Sequence, residues 1–205
     1  MKPLLAAVAA STLLGLSLFA ADAVSTTTTP RPAPELTFTI PGKGPQQLSQ
    51  YRGKVVALAL MSTTCPHCQA KSKELTKLQE DLGARGLQVI GVATNANADL
   101  LVDNFVKDFK IGFPVGYMSS EHVVAFMNFS PTDRWVVPQI ALIDRKGVIH
   151  YQTTATETPE WDKLMAPEAL RAHIEELLNM GGGAKTASTA AHKKAIAGAD
   201  VSARR

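Results

Sequence analysis

The sequence predicts an α/β fold in which a central mixed β-sheet is flanked by helices. Two continuous apolar runs of strand length, VVALALMS (residues 55–62) and LQVIGVAT (residues 87–94), are typical of strands that are covered on both faces. A helical pattern separates them, so these two strands should be parallel. A third apolar stretch, WVVPQIALIDRKGVIHYQTTA (residues 135–155), contains an Arg-Lys-Gly turn and predicts an antiparallel hairpin. Parallel and antiparallel pairs together give a mixed sheet.

The N-terminus has the pattern of a signal peptide. Lys2 supplies a positive charge, residues 4–19 are apolar or small without a charge, and FAADAV offers a small-residue cleavage site after Ala23 or after Ala20. We therefore predict a signal peptide over residues 1–23 and export to the periplasm or another extracytoplasmic compartment. The alternative is an uncleaved membrane anchor, because the apolar run approaches the roughly 18 residues of a transmembrane candidate.

Composition predicts the ends of the folded domain. Residues 24–35, VSTTTTPRPAPE, are rich in Thr and Pro and predict a linker. Residues 181–205 hold five basic residues against one acidic residue, contain little large apolar surface, and predict a disordered basic tail. Because this tail accounts for the net charge of +3, the rest of the chain is nearly neutral, and we expect no nucleic-acid partner. The folded domain is then residues 36–180.

The first predicted element of this domain is a small β-hairpin. The segment LTFTIPGKGPQQLSQYRGK (residues 36–54) has short alternating strand pieces around the turn residues Pro-Gly-Lys-Gly. The first buried strand, residues 55–62, leads into a helix whose apolar face carries Leu75, Leu78 and Leu82.

Three further helices follow from the pattern. DLLVDNFVKDFKI (residues 99–111) predicts an amphipathic helix after the second buried strand, with Leu101, Phe105 and Phe109 on one face. A less regular stretch comes next and holds one short helix from about Ser120. After the predicted hairpin, PEALRAHIEELLNM opens with a proline, which is favoured in a first helical turn, and forms the last helix.

The only two cysteines, Cys65 and Cys68, lie where the first buried strand becomes a helix. As a structural crosslink the pair would close almost no loop and add little stability. At a helix N-terminus, unpaired backbone N–H groups and the helix dipole stabilise a thiolate, which is the form of cysteine that attacks disulfides. We therefore predict that Cys65 is the exposed nucleophile and that Cys68 is the buried partner that resolves the mixed disulfide.

The two residues between the cysteines fit this chemistry. His67 adds a positive charge or a hydrogen-bond donor beside the thiolate. Pro66 suits the first helical turn, where its missing N–H has no partner to lose.

These residues resemble a known family. TCPHC after a buried strand, followed later by VVPQIALIDRKGVI, resembles the thioredoxin-like superfamily. The leading LSQYRGKVVALALMSTTCPHC and the helix inserted before GFPV are similar to the TlpA/ResA branch of exported thiol–disulfide oxidoreductases. The Cys-Pro-His-Cys pair, with Val before the later proline, is also similar to the site of DsbA, an oxidant. The resemblance covers about residues 36–180.

The resemblance implies a fold, an activity and a substrate site. It implies a thioredoxin-like fold and a thiol–disulfide oxidoreductase that exchanges a Cys65–Cys68 disulfide with protein thiols or disulfides and with a redox partner protein. It implies no cofactor beyond that redox-active disulfide. In this superfamily the proline opposite the cysteine pair is cis, which here is Pro138, and the backbone of the preceding residue, Val137, pairs with the substrate. We expect a monomer, bound to a membrane only if the N-terminal segment is uncleaved.

Three positions depart from the family pattern. Thr64 stands where thioredoxins carry Trp, Ala59 where they carry a buried acid, and Lys71 where ResA-like proteins carry an acid after the second cysteine. The group that accepts the Cys68 proton is therefore open. Lys71 and the other positive groups favour the thiolate and predict a disulfide more oxidising than that of thioredoxin, near −270 mV. The ResA-like reductants argue for the opposite direction, so both directions stay open.

A cysteine pair also serves functions other than thiol–disulfide exchange. A zinc site would need about four ligands, and the remaining histidines show no paired spacing, so no metal site is predicted. A copper-binding or redox-sensing module that uses both thiolates and a histidine stays open, since soft thiolates suit Cu(I). A peroxiredoxin-like peroxide reductase is the third reading: Ser62 fits the hydroxyl position of its P-x-x-x-T-x-x-C pattern, but Leu58 stands where the proline belongs.

Overall fold

The structure, a computed structural model, describes residues 29–180, in which eight strands form one mixed sheet. The strands are β1 (Arg31–Pro32), β2 (Thr37–Ile40), β3 (Gly44–Gln47), β4 (Val55–Met61), β5 (Leu87–Ala93), β6 (Val115–Tyr117), β7 (Gln139–Ile143) and β8 (Val148–Gln152). Across the sheet they lie in the order β1-β8-β7-β4-β5-β6-β2-β3. The predicted signal peptide, residues 1–23, and the predicted tail, residues 181–205, lie outside the described residues.

Five α-helices cover the sheet within this range. They are α1 (Pro66–Leu82), α2 (Ala98–Phe109), α3 (Glu121–Met127), α4 (Pro159–Met165) and α5 (Pro167–Asn179). Four of them, α1, α2, α4 and α5, contribute side chains to one apolar cluster, whereas α3 and the N-terminal hairpin contribute to the cluster on the other face. Between residues 29 and 180, no helix is both long enough and apolar enough to cross a membrane.

The strand β4 lies at the centre of the sheet. It pairs in parallel with β5 and antiparallel with β7, while β5 pairs in parallel with β6. All seven of its residues are buried: Val55, Ala57 and the other odd-numbered residues pack in one cluster, and the even-numbered residues pack in the other. Two-sided burial explains why this strand is apolar without alternation. The predicted mixed sheet is confirmed.

The two amphipathic helices differ in how well their buried faces were predicted. On α1 the expected residues Leu75, Leu78 and Leu82 are buried. On α2 the buried residues are Ala98, Val102 and Phe105. Of the predicted face of α2 only Phe105 is fully buried, because the helix turns its smaller side chains toward the sheet.

Both predicted hairpins are confirmed. The strands β2 and β3 pair from Thr37 with Gln47 to Ile40 with Gly44, and β7 pairs with β8. In the second hairpin, Asp144 Oδ1 accepts hydrogen bonds from the backbone N–H groups of Lys146 at 2.8 Å and of Val148 at 2.9 Å.

Two short elements after β5 were not predicted. The strand β6 has three residues, too few for a periodicity to appear, and it exists because β5 and β2 pair with it on either side. The helix α4 has seven residues and begins in a way the sequence does signal: Thr158 caps it by accepting a hydrogen bond from the backbone N–H of Trp161 at 3.2 Å, and Pro159 occupies the first position.

The predicted linker, residues 24–35, is wrong for its last residues, which belong to the sheet. Arg31–Pro32 pairs antiparallel with β8, and the backbone N–H of Ala33 donates to the carbonyl of Gly147 at 2.9 Å. Arg31 Nη2 donates to the carbonyl oxygen of Phe126 and to Gln152 Oε1, both at 2.7 Å. The folded part therefore begins before residue 36. Proline- and threonine-rich composition hid this edge strand, whose stability comes from contacts distant in sequence.

Replacing Arg31 by Ala removes both hydrogen bonds of this charged donor. We expect the free energy of unfolding to fall by about 1–3 kcal/mol, measured by urea denaturation. Arg134 is exposed and serves as the control, since Arg134→Ala should change the free energy of unfolding by less than about 0.5 kcal/mol. Equal stabilities of the two variants would show that β1 does not belong to the folded core.

Candidate active site

The cysteine pair lies at the carboxyl end of the central strand. β4 ends at Met61, Cys65 is the N-cap residue of α1, and Pro66 occupies the first helical position as predicted. Cys65 is half-buried, and Cys68, one turn along the helix, is fully buried. The chain thus presents one sulfur to the surface and keeps the other behind it.

Burial raises the pKa of Cys68 to about 12. A hydrogen bond to the Cys65 sulfur and the charge of that sulfur act in the same direction. The backbone N–H of Ser62, which donates to Cys68 Sγ at 3.4 Å, opposes them in part. Cys68 is therefore a buried, neutral thiol at physiological pH, and Cys65 is the more accessible of the two sulfurs.

Residues 62–65, which connect β4 to α1 and end at Cys65, form a segment called the cysteine loop. Its Thr63 donates a backbone N–H to Asn95 Oδ1 at 3.0 Å and accepts at its hydroxyl from Asn95 Nδ2 at 3.1 Å. Gln69 Nε2 donates to the carbonyl of Thr63 at 3.1 Å. Two amide side chains, from α1 and from the loop after β5, thus hold the cysteine loop in place.

The segment of residues 136–138, called the proline loop here, faces Cys65 from the start of β7. The peptide bond between Val137 and Pro138 is cis, as the resemblance implied. Cys65 Sγ lies 3.8 Å from the carbonyl oxygen of Val137 and is oriented to donate to it. The structure therefore brings together Cys65, Val137 and Pro138, which the sequence places more than seventy residues apart.

A buried polar pair supports the proline loop. Gln139, which has no exposed surface, donates from Nε2 to the carbonyls of Val136 at 2.8 Å and Ala155 at 3.1 Å. Its Oε1 accepts a hydrogen bond from the hydroxyl of Thr153, which is also buried. That hydroxyl in turn accepts from the backbone N–H of Ile140 at 3.0 Å.

Sequence reasoning missed four residues of this site: Gln69, Asn95, Gln139 and Thr153. Amide and hydroxyl side chains are common on protein surfaces, so their types carried no signal. The one available signal was Gln139, a polar residue inside the otherwise apolar run WVVPQIALI. A polar side chain in such a position is expected to have buried hydrogen-bond partners.

The two residues predicted to stabilise the Cys65 thiolate have different surroundings. His67 is exposed on the first turn of α1. Lys71 Nζ is 2.6 Å from Glu74 Oε2 and donates to the carbonyl of Met165 at 2.7 Å. The hydrogen bonds of Lys71 thus go to partners other than the sulfurs, and the adjacent carboxylate offsets its charge.

The border of the site carries almost no charge. Three segments that contain the cysteine loop, Asn95 and the proline loop, residues 62–70, 94–98 and 135–143, contain no Asp, Glu, Lys or Arg. His67 is the one ionisable side chain there besides the cysteines. Among residues 29–180, no group of three or more His, Cys, Asp or Glu side chains lies close enough together to hold a metal ion.

A cysteine pair at the junction of a central strand and a helix, opposite a cis-proline loop, defines a thioredoxin-like fold and the class of thiol–disulfide redox enzymes. Within that class, the chain belongs to the Redoxin family, whose sequence profile matches residues 29–170.

Curated relatives carry the name thiol–disulfide oxidoreductase ResA. The chain is 27% identical to ResA of Geobacillus kaustophilus over 128 residues, which covers 62% of this chain and 70% of that protein. It is 25% identical to ResA of Bacillus thuringiensis subsp. konkukian over 114 residues, which covers 56% of this chain and 62% of the relative. The matches thus span between three fifths and three quarters of these relatives.

Solved structures share the fold. A Chlorobium tepidum protein assigned as thiol:disulfide interchange protein DsbE superposes with a TM-score of 0.61 at 22% sequence identity, covering 75% of this chain and 99% of that one. A thiol:disulfide interchange protein from a Bacteroides species gives a TM-score of 0.59 at 20% identity, covering 80% of this chain and 97% of that one. At these identities the likeness establishes the fold alone.

The raised pKa of Cys68 makes the stability of the reduced protein depend on pH. An unfolded thiol loses its proton near pH 8.5, whereas folded Cys68 keeps its proton up to about pH 12. The stabilising contribution is thus fully present below about pH 8.5 and falls as the pH rises toward 12, at no more than roughly 1.4 kcal/mol per pH unit.

This pH dependence is measured by urea denaturation of the reduced protein at pH 7, 9 and 10.5. Reduced Cys68→Ala is the control, since it retains every other titrating group. We expect the wild type to lose more stability than this variant above pH 9. Parallel curves for the two proteins would contradict the assignment of Cys68 as the buried neutral thiol.

Proposed function

We propose that this protein is an exported thiol–disulfide oxidoreductase that exchanges its Cys65–Cys68 disulfide with the thiols and disulfides of protein substrates and of a redox partner protein. The observation that carries the proposal is the asymmetry of the pair: Cys65 is half-buried at the N-terminus of α1 and faces the carbonyl of Val137, while Cys68 is buried behind it. The family, the names of the ResA relatives and the fold support the same activity.

In the reducing direction the exchange takes two steps. The Cys65 thiolate attacks one sulfur of a substrate disulfide, a mixed disulfide forms, and the other substrate sulfur leaves as a thiolate that takes a proton from water. Cys68 then gives up its proton and attacks Cys65 Sγ, which releases the second substrate thiolate, and this thiolate takes up a proton from solvent. The substrate gains two electrons, and the protein ends with a Cys65–Cys68 disulfide. The oxidising direction is the reverse of these steps.

The surroundings of Cys68 favour the second step only after the first. The charge and the hydrogen bond of the Cys65 sulfur both raise the pKa of Cys68 in the reduced protein. In the mixed disulfide, Cys65 Sγ carries no charge, so it no longer raises the pKa of Cys68 through its charge. The Ser62 N–H at 3.4 Å remains to stabilise the developing Cys68 thiolate. Cys68 is thus activated when a substrate is attached.

The roles of the two cysteines are tested by trapping. Cys68→Ala should accumulate a covalent mixed disulfide with a disulfide-containing protein substrate, because nothing resolves it. Cys65→Ala should accumulate none, since its remaining thiol is buried and neutral. The readout is a dithiothreitol-sensitive band on a non-reducing gel, identified by mass spectrometry. Equal trapping by both variants would refute the assignment of Cys65 as the nucleophile.

The direction of exchange depends on the groups that stabilise the Cys65 thiolate, because they stabilise the reduced form. With Lys71 paired to Glu74, we propose that His67 and the helix N-terminus have this role. His67→Ala should make the reduction potential more negative by at least about 30 mV, a tenfold change in the equilibrium constant.

The control for this measurement is Lys71→Met, which should shift the potential by less than about 10 mV. Both potentials are read from equilibrium with glutathione buffers. A larger shift for Lys71→Met than for His67→Ala would contradict the proposal. A wild-type potential above that of thioredoxin, about −270 mV, supports the DsbA-like oxidising direction, and one below it supports the ResA-like reducing direction.

No observation favours the rival functions over this one. Leu58, where the peroxidatic pattern has proline, is fully buried in β4. For a copper-binding module, the described residues provide no cluster of three ligands around the cysteines. Thiol exchange, in contrast, uses every feature of the site.

A further inference from the structure

The proline loop has one residue whose backbone is left without a partner. The backbone N–H of Val136 donates to the carbonyl of Ala155 at 2.9 Å, and the carbonyl of Val136 accepts from Gln139 Nε2 at 2.8 Å. Among the described residues, the N–H of Val137 has no hydrogen-bond partner, and its carbonyl meets only Cys65 Sγ. The backbone of Val137 is therefore available to a substrate at the position where the nucleophile lies.

The side chain of Gln139 determines this difference between the two valines. Were the amide absent, the carbonyl of Val136 would lose the donor that fixes its direction and would be free to turn toward another one. Such a turn rotates the whole peptide unit, which also carries the N–H of Val137. Gln139 itself has no exposed surface, so its amide is held in one place by the residues packed around it.

The hydroxyl of Thr153 fixes which way the Gln139 amide points. The terminal amide of a glutamine is nearly symmetric in shape, but its oxygen accepts hydrogen bonds and its nitrogen donates them. Thr153 donates to Oε1, while the carbonyls of Val136 and Ala155 accept from Nε2. Each end of the amide thus meets complementary partners, and the reversed orientation would place two carbonyl oxygens against Oε1.

We propose that Gln139, oriented by Thr153, is a positioning residue that holds the backbone of Val137 ready to pair with an extended polypeptide beside Cys65. This inference rests on the proposed thiol–disulfide exchange and adds a determinant of its substrate class. It separates two kinds of substrate. A disulfide carried by an extended peptide uses the backbone of Val137, whereas a small disulfide without a peptide backbone at that position does not.

The test compares two oxidants of the reduced protein. The first is a ten-residue unstructured peptide whose single cysteine forms a mixed disulfide with glutathione. The second is 5,5′-dithiobis(2-nitrobenzoate), a small aromatic disulfide. In both reactions the Cys65 thiolate attacks, one thiolate leaves, and Cys68 then releases the second thiol, so the protein ends oxidised. The second-order rate constant is measured for each.

Gln139→Met removes the amide while keeping the side-chain length. We expect its rate constant to fall about tenfold with the peptide, the effect of one or two lost backbone hydrogen bonds, and to change less than about twofold with the small disulfide. Thr153→Val should reduce the peptide rate in the same selective way, and Thr153→Ser, which keeps the hydroxyl, should restore it. The pair of Thr153 variants carries the test if Gln139→Met does not fold.

A modified peptide tests whether Gln139→Met reacts more slowly because backbone hydrogen bonds to the peptide are lost. Methylating the amide nitrogens that flank the peptide cysteine removes its pairing capacity without changing the disulfide. The wild type should react about tenfold more slowly with the methylated peptide than with the parent peptide. Gln139→Met should show little further loss with the methylated peptide, because residues that act through one interaction are not additive.

Ile143→Val is the matched control, since it alters the core four residues farther along β7, away from the proline loop. It should lower the midpoint of thermal unfolding without changing the ratio of the rate constants for the two oxidants. Equal loss of both rates in Gln139→Met, or an additive effect of peptide methylation, would overturn the positioning role. Failure of the wild type to react with either disulfide would instead overturn the proposed function itself.

Discussion

Burial of β4 on both of its faces is the constraint on which the rest of the structure depends. A strand with two apolar faces must lie inside the sheet, between β5 and β7 and under helices on either side. Its register with β7 places Leu60 opposite Gln139, so the cysteine loop and the proline loop emerge at the same end of neighbouring strands. The reactive site is therefore a consequence of how the central strand is covered, at the carboxyl end where such folds open.

Uncharged side chains hold both loops in position. Asn95 and Gln69 support the cysteine loop, and Gln139 and Thr153 support the proline loop. Amides and hydroxyls cost less to desolvate than charges, and their hydrogen bonds fix geometry without adding a net charge of either sign. The chemistry of the two thiols is then left to their burial, to the helix N-terminus and to neighbouring backbone groups. Both loops are thus held in position without a carboxylate at residue 59 or residue 71.

The sequence predicts those parts of the fold that depend on local pattern. Two-sided apolar runs identified β4 and β5, the glycine turns identified both hairpins, and the apolar run before the cysteines placed Cys65 and Cys68 where a strand becomes a helix. What it could not predict depends on contacts between distant segments. The sheet position of Arg31 comes from partners near residues 126 and 152, and Lys71 reaches the carbonyl of Met165 through a contact between α1 and the end of α4. Periodicity carries no trace of such polar contacts.

The lack of charge around the cysteines has a consequence for how partners arrive. Charged borders steer diffusing partners and accelerate encounter, and that acceleration disappears as salt screens the field. A border without Asp, Glu, Lys or Arg offers no such field over residues 62–70, 94–98 and 135–143. Any dependence of association on salt then comes from charges farther from the cysteines and from the partner itself. The segments around Cys65 therefore do not select partners by net charge.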